Sequence, residues 1–126
     1  MDSPSDTVLV VDDDPSIRFL CRVNLELDGW TVREAGTLAE AREALADGRV
    51  DVTLLDVHVG VSSGLDFLEE LRRDHPGLPV ALLTGSVGTQ ALSDVTAEAV
   101  LAKPFKLDEL SETVRHLASR PTHSAG

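Results

Sequence analysis

The stretch Val8-Leu9-Val10-Val11-Asp12-Asp13-Asp14-Pro15 runs from four apolar residues into three acids and a proline. Three further stretches repeat the form with other endings: Val52 to Leu55 into Asp56, Val80 to Leu83 into Thr84, and Val100 to Ala102 into Lys103. Short, nearly continuous apolar runs suit strands buried on both faces of a parallel sheet. In an open sheet of that kind ligands bind outside the carboxyl ends of the strands, so the four endings are expected to converge on one pocket. Several carboxylates, one hydroxyl and one ammonium suit a divalent cation together with a phosphoryl group.

Between the runs the apolar spacing is helical, which predicts an α/β domain with a parallel sheet covered by helices on both faces. Strands are expected near residues 7 to 11, 30 to 35, 51 to 56, 79 to 83 and 99 to 102. Ile17, Leu20, Cys21, Asn24 and Leu27 mark the buried stripe of a first helix, with Asp14 as N-cap, Pro15 at the first position and Gly29 past the end. Thr37 and Glu40 resemble a capping box ahead of a second helix that buries Leu38, Ala41 and Leu45 and ends before Gly48. Leu65, Leu68 and Leu71 carry a third, closed by Asp74-His75-Pro76-Gly77, and Leu107, Leu110, Val114 and Leu117 carry the last. Between Val87 and Ala99 the partial stripe Val87, Ala91, Val95 and Ala99 predicts a fourth helix that is short, frayed or displaced.

The length of 126 residues suits one domain, expected over 7–119, with small polar tails at 1–6 and 120–126 expected to be mobile. No stretch approaches the roughly 18 apolar residues of a membrane span, and Met1-Asp2-Ser3-Pro4-Ser5 lacks the basic and apolar segments of a secretory signal, so a soluble cytoplasmic protein is expected. The single cysteine, Cys21, is read as a small hydrophobe rather than a nucleophile. The formal net charge of −11 opposes contact with nucleic acid backbones and anionic membranes. Glu43, Glu69, Glu70, Glu109 and Glu112 are assigned to the solvated surface.

Brought together, Asp12, Asp13 and Asp56 repel one another, and burial would raise their pKa values. A bound cation resolves the conflict, and an oxygen-only ligand set points to a hard ion of the Mg²⁺ kind. With the charge neutralised, one carboxylate could attack phosphorus, with Lys103 pairing first with that carboxylate and then with a phosphate oxygen while the Thr84 hydroxyl holds another. Each group also has a plainer reading. The acids before Pro15 could simply cap a helix, which is the reading preferred for Asp14. Thr84 before Gly85 could be turn chemistry, and Lys103 before Pro104 a surface lysine. Asp56 could be a solvated loop residue, although an acid directly after Leu54-Leu55 is costly unless it faces a polar pocket.

Taken in order, Val10-Val11-Asp12-Asp13-Asp14-Pro15, Leu54-Leu55-Asp56 with Gly64 eight positions on, Leu83-Thr84-Gly85 and Ala102-Lys103-Pro104-Phe105 resemble the marks of response-regulator receiver domains. The resemblance runs from about Thr7 to Ser119. It implies a flavodoxin-like, doubly wound five-stranded sheet of order 2-1-3-4-5 flanked by five helices. It implies that Asp56 accepts a phosphoryl group from a phosphohistidine on a histidine kinase or histidine phosphotransfer protein in two-component or phosphorelay signalling. Asp13 would then bind Mg²⁺ directly, Asp12 mostly through water, and the backbone carbonyl of His58 would add a ligand. Thr84 would move toward the phosphate and Lys103 would bridge to it, followed by a signal to a downstream protein. His58 and Ser86 stand where family side chains tune phosphoryl lifetime, and Ser16, Phe19 and Leu20 on the first helix are candidates for kinase docking.

Two positions depart from the family pattern. Gly60 replaces the usual proline four residues after Asp56, which predicts a less rigid loop, and Val100 replaces the usual Tyr or Phe three residues before Lys103, too short a side chain to report the movement of Thr84. The spacing from Thr84 to Lys103 is also short, and the loss falls in the weak fourth helix. Two competing functions follow. One is a phosphorylation-independent interaction module. The other is a haloacid-dehalogenase-type phosphatase with Asp12 as nucleophile, suggested by Asp12-x-Asp14 but leaving Asp56 without a task. The receiver reading makes the chain a signalling phosphoacceptor rather than an enzyme.

Overall fold

The computed structural model describes residues 6–85 and 97–118. The elements in chain order are β1 (Thr7–Val11), α1 (Pro15–Leu27), β2 (Thr31–Ala35), α2 (Leu38–Asp47), β3 (Val52–Asp56), β4 (His58–Val59), β5 (Ser62–Ser63), α3 (Gly64–Asp74), β6 (Val80–Thr84), β7 (Ala99–Ala102) and α4 (Leu107–Ala118). The main sheet has the order β2-β1-β3-β6-β7, parallel throughout. With the small β4-β5 hairpin set aside, this is the expected 2-1-3-4-5 order. Four helices lie among the described residues; the expected fourth helix over Val87 to Ala99 falls almost wholly outside them, as do Ser86 and all of the expected tails except Asp6.

Alternation along the central strands divides the apolar residues between two cores. Val8, Val10, Val52, Leu54, Ala81 and Leu83 turn toward α1 and α4, where Cys21, Leu25, Leu110, Val114 and Leu117 meet them. Leu9, Val11, Leu55, Val80 and Leu82 turn the other way, toward Ala41, Ala44, Phe67, Leu68 and Leu71 of α2 and α3. Strands covered on both faces need no polar alternation, which is why the runs read as nearly continuous in sequence. The hydroxyl of Thr53 is the one buried side-chain polar atom among the described residues that lacks a hydrogen bond.

The helix ends follow their sequence signals. Asp14 accepts from the Ser16 N–H at 2.9 Å with Pro15 in the first turn. At the far end the N–H of Gly29 reaches the Glu26 carbonyl and that of Trp30 the Leu25 carbonyl, both at 3.0 Å, with Gly29 at φ 100°. This is a Schellman closure, in which the left-handed residue is best a glycine. Thr37 accepts from the Glu40 N–H at 3.1 Å, while the Glu40 carboxylate caps the N–H of Gly36 at 2.7 Å, one residue earlier than a reciprocal capping box requires.

The buried face of α1 differs from the expected stripe. Cys21 and Leu25 are fully buried and Ile17 packs at the core margin, whereas Leu20 is 46% and Leu27 82% exposed. Asn24 instead donates to the Leu107 carbonyl at 3.3 Å and to the Ser111 hydroxyl at 2.7 Å, tying α1 to α4. Spacing alone could not choose between two overlapping apolar rows, 17-21-25 and 20-24-27, because both fit a helical period. On α3 the sequence reading missed Phe67, which is buried beside Leu68 and Leu71. The two leucines near the end of α1 should therefore respond differently to truncation. Leu25→Ala is expected to lower the unfolding free energy by about 2–5 kcal/mol and Leu27→Ala by less than about 0.5 kcal/mol in urea titrations. Equal losses would contradict the buried face described.

Candidate phosphoacceptor site

Parallel register brings the run endings to one edge of the sheet. Val11 pairs with Leu55, Asp56 with Leu83, and Thr84 with Ala102, so Asp12, Asp56, Thr84 and Lys103 stand at or just beyond adjacent strand ends. The main chain locks the edge: the Asp12 N–H donates to the Ala35 carbonyl at 3.1 Å, that of Val57 to Leu83 at 3.0 Å, and that of Lys103 to Thr84 at 2.7 Å. Glu98, at the entry to β7, holds that strand in place by accepting from the Val80 N–H at 2.8 Å and from the Arg72 guanidinium at 2.6 Å. The Lys103–Pro104 peptide is cis.

Asp12, Asp13 and Asp56 each present an oxygen, and the three atoms lie within 4.8 Å of one another. Asp12 and Asp56 are buried while Asp13 is exposed. The Lys103 ammonium stands between the two buried acids, 2.7 Å from Asp12 Oδ2 and 3.5 Å from Asp56 Oδ2. Sequence reasoning paired this lysine with the phosphoacceptor candidate; in the structure its shorter contact is to Asp12, whose side chain is wholly buried and most needs a countercharge. The other Asp12 oxygen accepts from the Asp14 N–H at 2.9 Å.

Burial pushes the Asp56 carboxyl above its ordinary pKa, and the Asp12 charge pushes the same way; the His58 N–H, 3.3 Å from Asp56 Oδ1, and the Lys103 ammonium oppose them without prevailing. At Lys103 burial disfavours the ammonium, but the hydrogen bond and charge of Asp12 together with Asp56 outweigh it and raise the pKa. Three carboxylates against one ammonium leave an uncompensated negative site composed of hard oxygen donors, a set that fits a divalent cation. Cys21 lies on the α1 side, and burial followed by the nearby Asp12 charge pushes its thiol up to about 12, which keeps it unreactive.

The loop after Asp56 folds as a hairpin in which His58 pairs with Ser63 and Val59 with Ser62. Gly60 sits at its first central position with φ 63°, while Val61 has no positive φ, the pattern of a type II′ turn. Proline, fixed near −65°, cannot occupy that position, so the departure at Gly60 is a different loop geometry with strand pairing of its own rather than a simple loosening. Ser63 caps α3 by accepting from the Asp66 N–H at 3.2 Å. Gly64 follows with its N–H on the Val57 carbonyl at 2.7 Å, and a Cβ there would overlap the Asp56 carbonyl oxygen. That close approach is the physical reason for a glycine eight residues after the acid.

Of the residues singled out in the sequence, Asp12, Asp13, Asp56 and Lys103 are brought together, and Thr84 is buried at the adjoining strand end. The His58 side chain is exposed at the rim. Sequence reasoning missed Arg18, whose guanidinium donates to the Asp12 carbonyl at 2.7 Å. Nothing in the local pattern separates it from an ordinary helix-surface arginine. A groove of about 600 Å³ at the other end of the sheet, bordered by Asp6, Asp51, His75 and Leu78, contains none of these residues. No helix among the described residues is long and apolar enough to cross a membrane.

Residues 8–115 match the model of the response regulator receiver domain. The chain is 38% identical over 117 residues to the probable transcriptional regulatory protein TcrX of Mycobacterium tuberculosis, covering 90% of this chain and 50% of TcrX. It is 39% identical over 110 residues to the response regulator protein PilR of Pseudomonas aeruginosa, covering 84% of this chain and 24% of PilR. It thus spans about half the length, or less, of these curated relatives. Among solved structures, the receiver domain of NtrX from Brucella abortus superposes with a TM-score of 0.82 at 31% identity, covering 88% of this chain and 97% of that one. The response regulator protein TrrA from Thermotoga maritima, solved in complex with Mg²⁺ and BeF, gives 0.79 at 32% identity over 89% and 98% of the two chains. Matched in sequence over most of its length and in the order of its strands, the chain belongs to the response regulator receiver domains of two-component signalling.

Proposed function

We propose that Asp56 is the phosphoacceptor of this receiver, that Asp12, Asp13 and the His58 backbone carbonyl hold Mg²⁺ beside it, and that the donor is a phosphohistidine on a histidine kinase or phosphotransfer protein. The observation that carries the reading is the meeting of Asp56 with Asp12, Asp13 and Lys103 at one strand edge. Both Asp12 oxygens already accept hydrogen bonds, which suits contact with the ion through water; Asp13 is exposed and Asp56 Oδ2 meets Lys103 only at 3.5 Å, which suits direct contact at those two. The presence of Mg²⁺ in the TrrA complex supports the choice of ion. When bound, the cation neutralises the site and polarises phosphoryl oxygens.

An Asp56 carboxylate oxygen attacks phosphorus, an O–P bond forms, and the P–N bond to the donor imidazole breaks with the electron pair leaving on nitrogen. Lys103, already poised between Asp12 and Asp56, moves its contact to a phosphoryl oxygen, and the Thr84 hydroxyl donates to another. Hydrolysis of the acyl phosphate returns the carboxylate. The role is that of a cytoplasmic signalling module rather than a turnover enzyme. Asp12 is a poor nucleophile by comparison, since it is wholly buried and both its oxygens are engaged, which disfavours the dehalogenase-type reading.

Kinase contact is assigned to α1, where Phe19 is 57% exposed and Leu20 46%, with Val23 beside them and Ser16 open to solvent. Apolar side chains on an otherwise acidic surface mark a protein contact, and the net charge of −11 disfavours nucleic acid as the partner of this domain.

Incubation with acetyl phosphate and Mg²⁺ is expected to add one phosphate by intact-mass spectrometry, lost on chelation and absent from Asp56→Asn; labelling of the variant would overturn the assignment, and a native chain that stays unlabelled would leave the interaction-module reading standing. Linkage supplies a second check. A carboxyl whose folded pKa is raised favours the folded state below the unfolded value of about 3.9 and loses that contribution as pH rises through the folded value. In chelator, Asp56→Asn should therefore melt above the native chain near neutral pH, with the gap closing as pH falls toward about 4; a gap independent of pH would contradict the strained carboxylate. For the docking face, Phe19→Ala should slow phosphotransfer from the cognate kinase about tenfold while leaving acetyl phosphate labelling unchanged, and native transfer rates would remove α1 from the contact.

A further inference from the structure

Arg18 adjoins the acidic cluster and has no part in the chemistry above. It stands on the first turn of α1, with its own N–H on the Asp14 carbonyl at 3.1 Å. Its Nη1 donates to the Asp12 carbonyl at 2.7 Å and its Nε to Glu34 Oε1 at 3.1 Å. The second Glu34 oxygen accepts from Arg22 Nη1 at 2.8 Å. Arg18 and Glu34 are 20% and 25% exposed, so this is a partly desolvated pair rather than a loose surface contact. The guanidinium lies against the backbone of Gly36 so closely that a Cβ there would come within 2.9 Å of Nη1.

The geometry matters because of which atom Arg18 holds. The Asp12 carbonyl and the Asp13 N–H belong to one planar peptide unit. Fixing that carbonyl fixes the plane, which leaves the φ of Asp13 as the one backbone torsion that still directs its Cα–Cβ bond. On the Asp12 side the N–H is held by Ala35 and the carboxylate by Asp14 and Lys103, while the carbonyl is held by Arg18. Asp13 itself is exposed and sits in the bend between β1 and α1, where backbone orientation governs where a short side chain points. A fork with donors at both Nε and Nη1 can span Glu34 and Asp12 at once, which a single ammonium cannot do with the same planar geometry.

We propose that Arg18, oriented by Glu34, is a positioning residue that sets the Asp12–Asp13 peptide so that the acidic cluster binds its cation. The inference rests on the reading of Asp12, Asp13 and Asp56 as a Mg²⁺ site. Calorimetric titration with MgCl₂ tests it on the native chain, Arg18→Ala, Arg18→Lys, Glu34→Gln, and Arg42→Ala, which loses a comparable ion pair with Glu70 away from the site. Supporting hydrogen bonds around a metal site contribute about 10–100-fold to affinity, so Arg18→Ala should weaken Mg²⁺ binding about tenfold. Arg18→Lys should recover part of the loss, Glu34→Gln should show a smaller loss, and Arg42→Ala should bind as the native chain does. With acetyl phosphate, Arg18→Ala should raise the Mg²⁺ concentration for half-maximal labelling and leave the rate at saturating Mg²⁺ near native. Native Mg²⁺ affinity in Arg18→Ala, even with a lowered melting temperature, would reduce the arginine to a structural role and overturn the proposal. Should Arg18→Ala fail to fold, native affinity in Glu34→Gln overturns it equally. Absence of Mg²⁺ binding by the native chain is a different result, which removes the metal reading and this inference with it.

Discussion

Crowding of negative charge at one edge of a parallel sheet is the constraint on which the rest of this structure depends. Two of the three acids are buried, and one lysine contributed some ninety residues later stands between them, at 2.7 Å from Asp12 and 3.5 Å from Asp56. A buried carboxylate without a partner is costly, and a buried pair is far from a net gain in stability. The arrangement is intelligible as one that leaves Asp56 incompletely satisfied. Its carboxyl stays above its ordinary pKa because burial, reinforced by the Asp12 charge, outweighs the Lys103 ammonium, whose shorter contact is to Asp12. A site left short of positive charge and lined by hard oxygen donors is a set that fits a divalent cation.

The fold exists to hold that deficit in place. Two cores on opposite faces of the sheet grip the central strands, so the strand ends are fixed by burial that reaches 0% exposure along Val8 to Val11 and Leu54 to Leu55. At about 1.5–3 kcal/mol for each buried Val or Leu side chain, such packing readily outweighs the repulsion of a few partly screened charges at the edge. The helix caps serve the same end. Asp14 starts α1 directly after the acidic pair, Ser63 and Gly64 start α3 against the Asp56 backbone, and each therefore aims a functional residue while ending an irregular segment.

What the sequence disclosed and what it withheld divide along physical lines. The strands, their order by resemblance and the convergence of Asp12, Asp13, Asp56 and Lys103 were legible because buried parallel strands leave uninterrupted apolar runs and each run ends in a distinct polar residue. The face of α1 was not, since the rows through Leu25 and through Leu20 and Leu27 share a helical period and only the position of α4 decides between them. The partner of Lys103 was not legible either, because the choice between two neighbouring carboxylates depends on which is the more buried. Gly60 read as added freedom, whereas its φ of 63° makes it a requirement of the hairpin that follows Asp56. Arg18 and Glu34 gave no signal at all: a charge on a helix surface and another on an edge strand acquire meaning only when β2, paired to β1, lies alongside α1.

The replacement of an aromatic residue by Val100 bears on how the site can communicate with the rest of the surface. Val100 is 40% exposed on β7 and carries no ring. The connection that the structure does provide between Thr84 and that edge strand is main-chain. Thr84 pairs with Ala102 in the sheet register, and its carbonyl accepts the Lys103 N–H at 2.7 Å. The same short segment therefore carries both the backbone bond to Thr84 and the ammonium that bridges the two buried acids. In this receiver Lys103 is at once the charge partner of the two buried acids and, through its N–H, the residue bonded to the Thr84 carbonyl at the sheet edge.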